Sequence, residues 1–70
     1  MSTYDVEYRH ADKNGASKSF ETYDDAVKFY ESISTRKGKK NGTLLHKSLW
    51  RPDIASDGAA IHVMAAVWTR

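Results

Sequence analysis

LLHKSLWRPDIASDGAAIHVMAAVW, residues 44 to 68, is the stretch whose reading decides the fold. It holds both tryptophans, two of the three histidines and the longest apolar run of the chain. Residues 43–51 and 61–69 are short runs rich in β-branched, aromatic and other apolar residues, which predicts two strands. Pro52 cannot donate to a ladder and restricts the residue before it, so it is expected to end the first strand. Between the strands lies a turn signal, Asp57-Gly58. The 53–60 connection is longer than a tight hairpin loop, so the turn is not expected to set the register.

Immediately upstream stands RKGKKNG, residues 36–42, the only run of charge. Its glycines and asparagine predict a loop. Before it comes an amphipathic segment. At 100° per residue, Tyr23, Ala26, Val27, Phe29, Tyr30 and Ile33 fall on one arc, with Asp24, Asp25, Lys28, Glu31, Ser32 and Thr35 opposite. Thr22 is placed to cap this helix, and Asp24 and Asp25 complement the dipole of its first turn. The helix is expected over residues 23–36, with Gly38 as its C-terminal cap.

The N-terminal TYDVEYRH, residues 3–10, alternates: Tyr4, Val6 and Tyr8 on one side, Asp5, Glu7 and Arg9 on the other. That is the period of a half-buried strand. Asn14-Gly15 predicts a turn by tolerating positive φ, and residues 17–21 return as a second strand with Phe20 in the core. The order is therefore ββαββ, an α+β fold. One helix must bury its stripe, and the only available partner is an antiparallel four-stranded sheet.

With 70 residues and no cysteine, the chain is expected to form one domain without disulfide or thiolate–zinc support. Such a small domain gains stability from an efficient core or from oligomerisation. The net charge of +2 is too small an excess to define a basic protein. No apolar run is long enough to span a bilayer, and the first residues lack a secretory pattern; a cytoplasmic protein without membrane contact is expected.

Residues of both parities are apolar in the second hairpin. Strict alternation places Leu45, Leu49, Ile61, Val63 and Val67 under the helix. It sends Leu44, His46, Trp50, His62, Met64 and Trp68 to the outer face, which one helix cannot cover. An apolar outer patch with two tryptophans is the pattern of a binding surface. The competing expectation is that the N-terminus or the 52–60 connection covers it.

No catalytic or cofactor motif is present: no GxGxxG, P-loop or HExxH pattern occurs. His10, His46 and His62 match no metal-ligand spacing. The leading expectation is a non-enzymatic interaction module, an accessory or inhibitory factor. Trp50, Trp68, Leu44, Met64, His46 and His62 would contact a protein partner or a second copy in a homodimer. The second reading is nucleic-acid binding, with Arg36, Lys37, Lys39, Lys40, Lys47 and Arg51 on phosphates and tryptophans stacking on bases.

Overall fold

The structure is a computed structural model and describes residues 3–11, 14–35 and 42–70. Five elements follow in order: β1 (Tyr4–His10), β2 (Ala16–Phe20), α1 (Tyr23–Ser32), β3 (Leu44–Ile54) and β4 (Ala60–Thr69). They form an α+β ββαββ arrangement with one antiparallel sheet of four strands in the order β2-β1-β3-β4. The helical connection carries the chain from the β2 edge to the strand beside β1. Both central strands thus come from different hairpins, and β4 is left as a ten-residue edge.

The helix begins where the sequence places it. Thr22 is extended, and its Oγ1 accepts a hydrogen bond from the Asp25 amide at 3.2 Å. It ends earlier than expected, at Ser32, with Ile33 as the extended cap residue; Gly38 lies outside the described residues. The physical reason lies in the sheet. Lys47 on β3 reaches the helix end, and its Nζ donates to the carbonyls of Tyr30 at 2.7 Å and Ile33 at 3.1 Å. The Tyr30 carbonyl also accepts from the Ile33 amide at 3.3 Å. A cation at the last carbonyls stabilises the C-terminal end of a helix, and α1 has no basic residue of its own in its last turn.

Val6 of β1, Leu49 of β3 and Ala26 of α1 form the buried centre, with Tyr4, Phe20, Val27, Phe29, Tyr30, Ile33 and Ala66 packed around it. The helix stripe therefore seats on the seam between the two hairpins. Tyr8 and Phe20 both meet the ring of Phe29, at centroid distances of 5.8 and 5.3 Å, which ties α1 to the first hairpin.

Three local departures from the sequence reading matter. First, β3 does not end before Pro52 but runs to Ile54. The β1–β3 ladder begins at the Asp5–Trp50 pair, so Pro52 lies beyond it. Proline is tolerated where one side of a strand has no ladder to supply. Second, the β3–β4 connection is tight. Gly58 donates its amide to the Ala55 carbonyl, and Ala55 donates to the Ala59 carbonyl, both at 2.9 Å. Gly58 has φ +88°. This is a turn followed by a left-handed glycine, and it does set the register, with Ile54 opposite Ala60. Third, Asn14-Gly15 uses no positive φ; among the described residues only Gly42 and Gly58 do.

Two bulges complete the sheet. Arg9 pairs with His46 but His10 pairs with Leu44, leaving Leu45 extra. Leu49 pairs with Ala66 but Trp50 pairs with Met64, leaving Ala65 extra. Beyond Trp50 the β3–β4 ribbon continues past the β1 ladder as an arm, and the molecule measures 44 × 20 × 16 Å. No helix among the described residues is long and apolar enough to cross a membrane.

Candidate functional site

The outer face of the sheet, opposite α1, is built by alternation from each strand. β1 contributes Asp5 and Glu7, β2 contributes Ser17 and Ser19, and β3 contributes His46, Ser48, Trp50, Pro52 and Ile54. The pairings Asp5–Trp50, Glu7–Ser48 and Glu7–Ser17 hold these residues on one side. Directly opposed residues of an antiparallel ladder share a face.

β4 joins this face in two phases. His62 and Met64 lie on it as the partners of Pro52 and Trp50. Ala65 is then the extra residue, so Val67 rather than Trp68 continues the face, opposite Ser48. Strict alternation across residues 61–69 is therefore broken. Ala66 packs into the core opposite Leu49, and Trp68 lies opposite Lys47 on the helix side. There the Arg70 guanidinium sits 5.1 Å from the Trp68 ring.

The bulge at Leu45 moves Leu44 in the same way. Leu44 opposes His10 and is fully buried, whereas Leu45, expected under the helix, is exposed. Of the six residues expected to form the patch, Trp50, Met64, His46 and His62 share the outer face, and Trp68 and Leu44 do not. Val67, expected inside, is outside and 51% exposed. Val67 could have been found only by knowing that Ala65 is an extra residue, and Ile54 only by knowing that β3 runs on through Pro52.

Trp50 is not a free-standing ring. Its Nε1 donates to Ser48 Oγ at 3.0 Å, and Ser48 is fully buried although it faces away from the helix. The indole thus lies down on the sheet and covers the serine, leaving its other side available. His62 reaches across β3 to β1: its Nε2 lies 2.9 Å from the Thr3 carbonyl and 3.6 Å from Asp5 Oδ2. This contact ties the base of the arm to the first hairpin, and it is an ion pair only when the imidazole is protonated. Asp5, Glu7, Ser17, Ser19, Trp50 and His62 line a shallow open depression of about 300 Å³. Neither serine hydroxyl is hydrogen-bonded to the imidazole, whose Nε2 is turned to Thr3 and Asp5. Among the described residues, no group of three or more His, Cys, Asp or Glu is arranged to hold a metal ion.

An apolar strip runs beside this depression. Ile54 is 66% exposed, Met64 48% and Val67 51%, with Trp50 and Pro52 half-buried between them. Among the described residues no α-helix lies on this side, and the 55–59 turn closes the hairpin tightly instead of folding back over it.

Of the basic residues of the second reading, only Lys47 and Arg51 are among the described residues. Arg36, Lys37, Lys39 and Lys40 lie outside the described residues. Lys47 is buried at the helix end, with its ammonium 4.2 Å from the Tyr30 ring centre, so it cannot meet a phosphate without unseating α1. Burial pushes its pKa below the ordinary 10.5, an effect partly opposed by Glu31. Arg51 faces away from Trp50 and pairs with Asp53 at 3.2 Å. No protein-family model, curated protein or solved structure matches this chain.

Proposed function

We propose that this chain is a non-enzymatic protein-interaction module that binds through the outer face of its second hairpin. The observation that carries this reading is the strip of Ile54, Met64 and Val67, exposed on the side that α1 leaves open. Contiguous exposed apolar residues beside a polar surround are characteristic of interaction sites. Trp50 serves as the aromatic anchor at the centre of the strip, already held by Ser48, so little side-chain freedom is lost on binding. The acidic and hydroxyl side chains of the first hairpin supply the polar rim.

The test uses a Met64→Lys/Val67→Lys double variant beside the parent. Both positions are exposed, so circular dichroism and thermal midpoint should stay close to those of the parent. Complexes recovered with the parent, including its own assemblies seen by light scattering, should be lost from the variant. Equal recovery by the two proteins would overturn the proposal.

A further inference from the structure

The two free edges of the sheet are made differently. The β2 edge is five residues long, ASKSF, polar along most of its length. Lys18 on it lies 5.5 and 5.2 Å from the Phe20 and Phe29 ring centres and so carries a charge over the edge. The β4 edge is ten residues long, AIHVMAAVWT, without one Asp, Glu, Lys or Arg. β1 carries Asp5, Glu7 and Arg9, and β3 carries Lys47, Arg51 and Asp53; β4 alone combines length with absence of charge. Natural sheets protect a long edge with charges, prolines or short strands, because its unpaired amides and carbonyls form a template for another strand. Such protection is present on β2 and missing from β4, apart from the bulge at Ala65. That bulge interrupts the edge without closing it and leaves residues 60–64 as a regular segment on the projecting arm.

The distribution of apolar residues agrees. Among the described residues the buried apolar side chains number only Val6, Ala26, Leu44 and Leu49, so the core is small. Ile61, Met64 and Val67, half of the exposed large apolar residues described, all lie on β4. A domain with so small a core gains stability by burying more apolar surface against a partner.

From these observations we infer that the occupant of the β4 edge is a second copy of this chain. The two β4 strands pair antiparallel across a two-fold axis, centred on residues 60–64, to make one continuous eight-stranded sheet. Without Asp, Glu, Lys or Arg, β4 meets its own copy with no like-charge repulsion while His62 is neutral, and an antiparallel edge pair is self-complementary by symmetry. Pairing doubles the outer apolar strip, so Met64 of each copy comes beside the other's arm. The inference rests on the proposed interaction surface and names its partner.

The test has two readouts on the full chain. Sedimentation or light scattering from about 10 µM to about 1 mM should show a mass rising towards twice 7.9 kDa. Hydrogen exchange over the same range should show β4 amides that point away from β3 becoming protected, by at least about tenfold, as dimer forms. Met64→Lys should weaken assembly at least about tenfold while leaving exchange in β1 and β3 unchanged. A dimer that leaves those β4 amides unprotected overturns edge pairing but keeps the outer-face surface. A monomer throughout the range overturns the second copy as partner, and capture with the Met64→Lys/Val67→Lys variant then decides the interaction module on its own. If Met64→Lys unfolds the chain, Ala60→Lys, at an exposed position on the same edge, gives the same comparison.

Discussion

The two hairpins share one sheet and one helix, yet they solve the problem of a single-sided core in opposite ways. The first hairpin is short and strictly alternating: Val6 goes under α1, and Asp5, Glu7, Ser17 and Ser19 go to water. The second hairpin is twice interrupted by extra residues, apolar on both faces, and longer than the strand it pairs with. The difference separates what folding requires from what it does not. Leu49 and Ala66 belong to the core, and Ile54, Met64 and Val67 are apolar without contributing to it.

The largest effect that would test this contrast is Leu49→Ala. Leu49 is fully buried at the seam, and the substitution is expected to cost about 2–5 kcal/mol, enough to unfold much of a domain this small. Val67→Ala, on the same hairpin, should stay within about 0.5 kcal/mol by urea midpoint. Comparable losses at the two positions would erase the distinction between the faces.

Lys47→Ala comes next. It removes the ammonium from the Ile33 carbonyl and from the Tyr30 carbonyl, which keeps the Ile33 amide as a donor, and a loss of about 1–3 kcal/mol by chemical denaturation is expected. Its pH signature is specific. Burial lowers the Lys47 pKa in the fold, so the unfolded chain holds that proton more tightly. The Lys47 contribution therefore becomes more favourable as pH rises through the lowered value to the ordinary 10.5, and is lost again as pH falls. Tyr30, whose pKa burial raises above 10.0, has the opposite sign: its contribution is present below 10.0 and lost as pH rises through the raised value. Lys47→Met should remove the first effect and keep the second, so its urea midpoint should fall more steeply than the parent's across the alkaline range.

The fold class was legible because its signals had contrast. The helix stripe was set against charged residues and opened by Thr22, and β1 alternated between aromatic or aliphatic and charged residues. The faces of β4 were not legible, because in AIHVMAAVWT both parities are apolar and a bulge leaves no mark in such a run. Two adjacent leucines hid the bulge at Leu45 for the same reason. Pro52 was misread as a stop because its tolerance depends on where the β1 ladder ends, which is a tertiary fact. Lys47 was readable only as an odd lysine between two leucines; its role depends on where α1 ends.

Smaller effects probe the arm. Gly58→Ala has open space for the new methyl group, so its cost is backbone strain alone at φ +88°. A loss of about 1 kcal/mol is expected, seen as faster amide exchange in residues 54–60 with β1 and β2 unchanged. Asp53→Ala removes an exposed pair with Arg51 and should change stability by less than about 1 kcal/mol, with the difference shrinking in salt. If either variant disturbs the first hairpin as much as the arm, the two hairpins are more tightly coupled than the His62–Thr3 and His62–Asp5 contacts suggest.

Ala65 separates what the surface shows from what the composition of β4 would suggest. The position is exposed and small, and a substitution scan should find it tolerant. Met64 and Val67 are three residues apart, so a regular strand would send them to opposite faces; the extra residue is what brings both to the outer face. Deleting Ala65 with the Trp50–Met64 and Leu49–Ala66 pairings kept would make the ladder regular and leave Val67 outward and Trp68 inward. Keeping Ala65 but drawing it into the ladder would instead turn Trp68 outward and Val67 inward. One ladder position thus separates an aliphatic surface from an aromatic one in the same sequence.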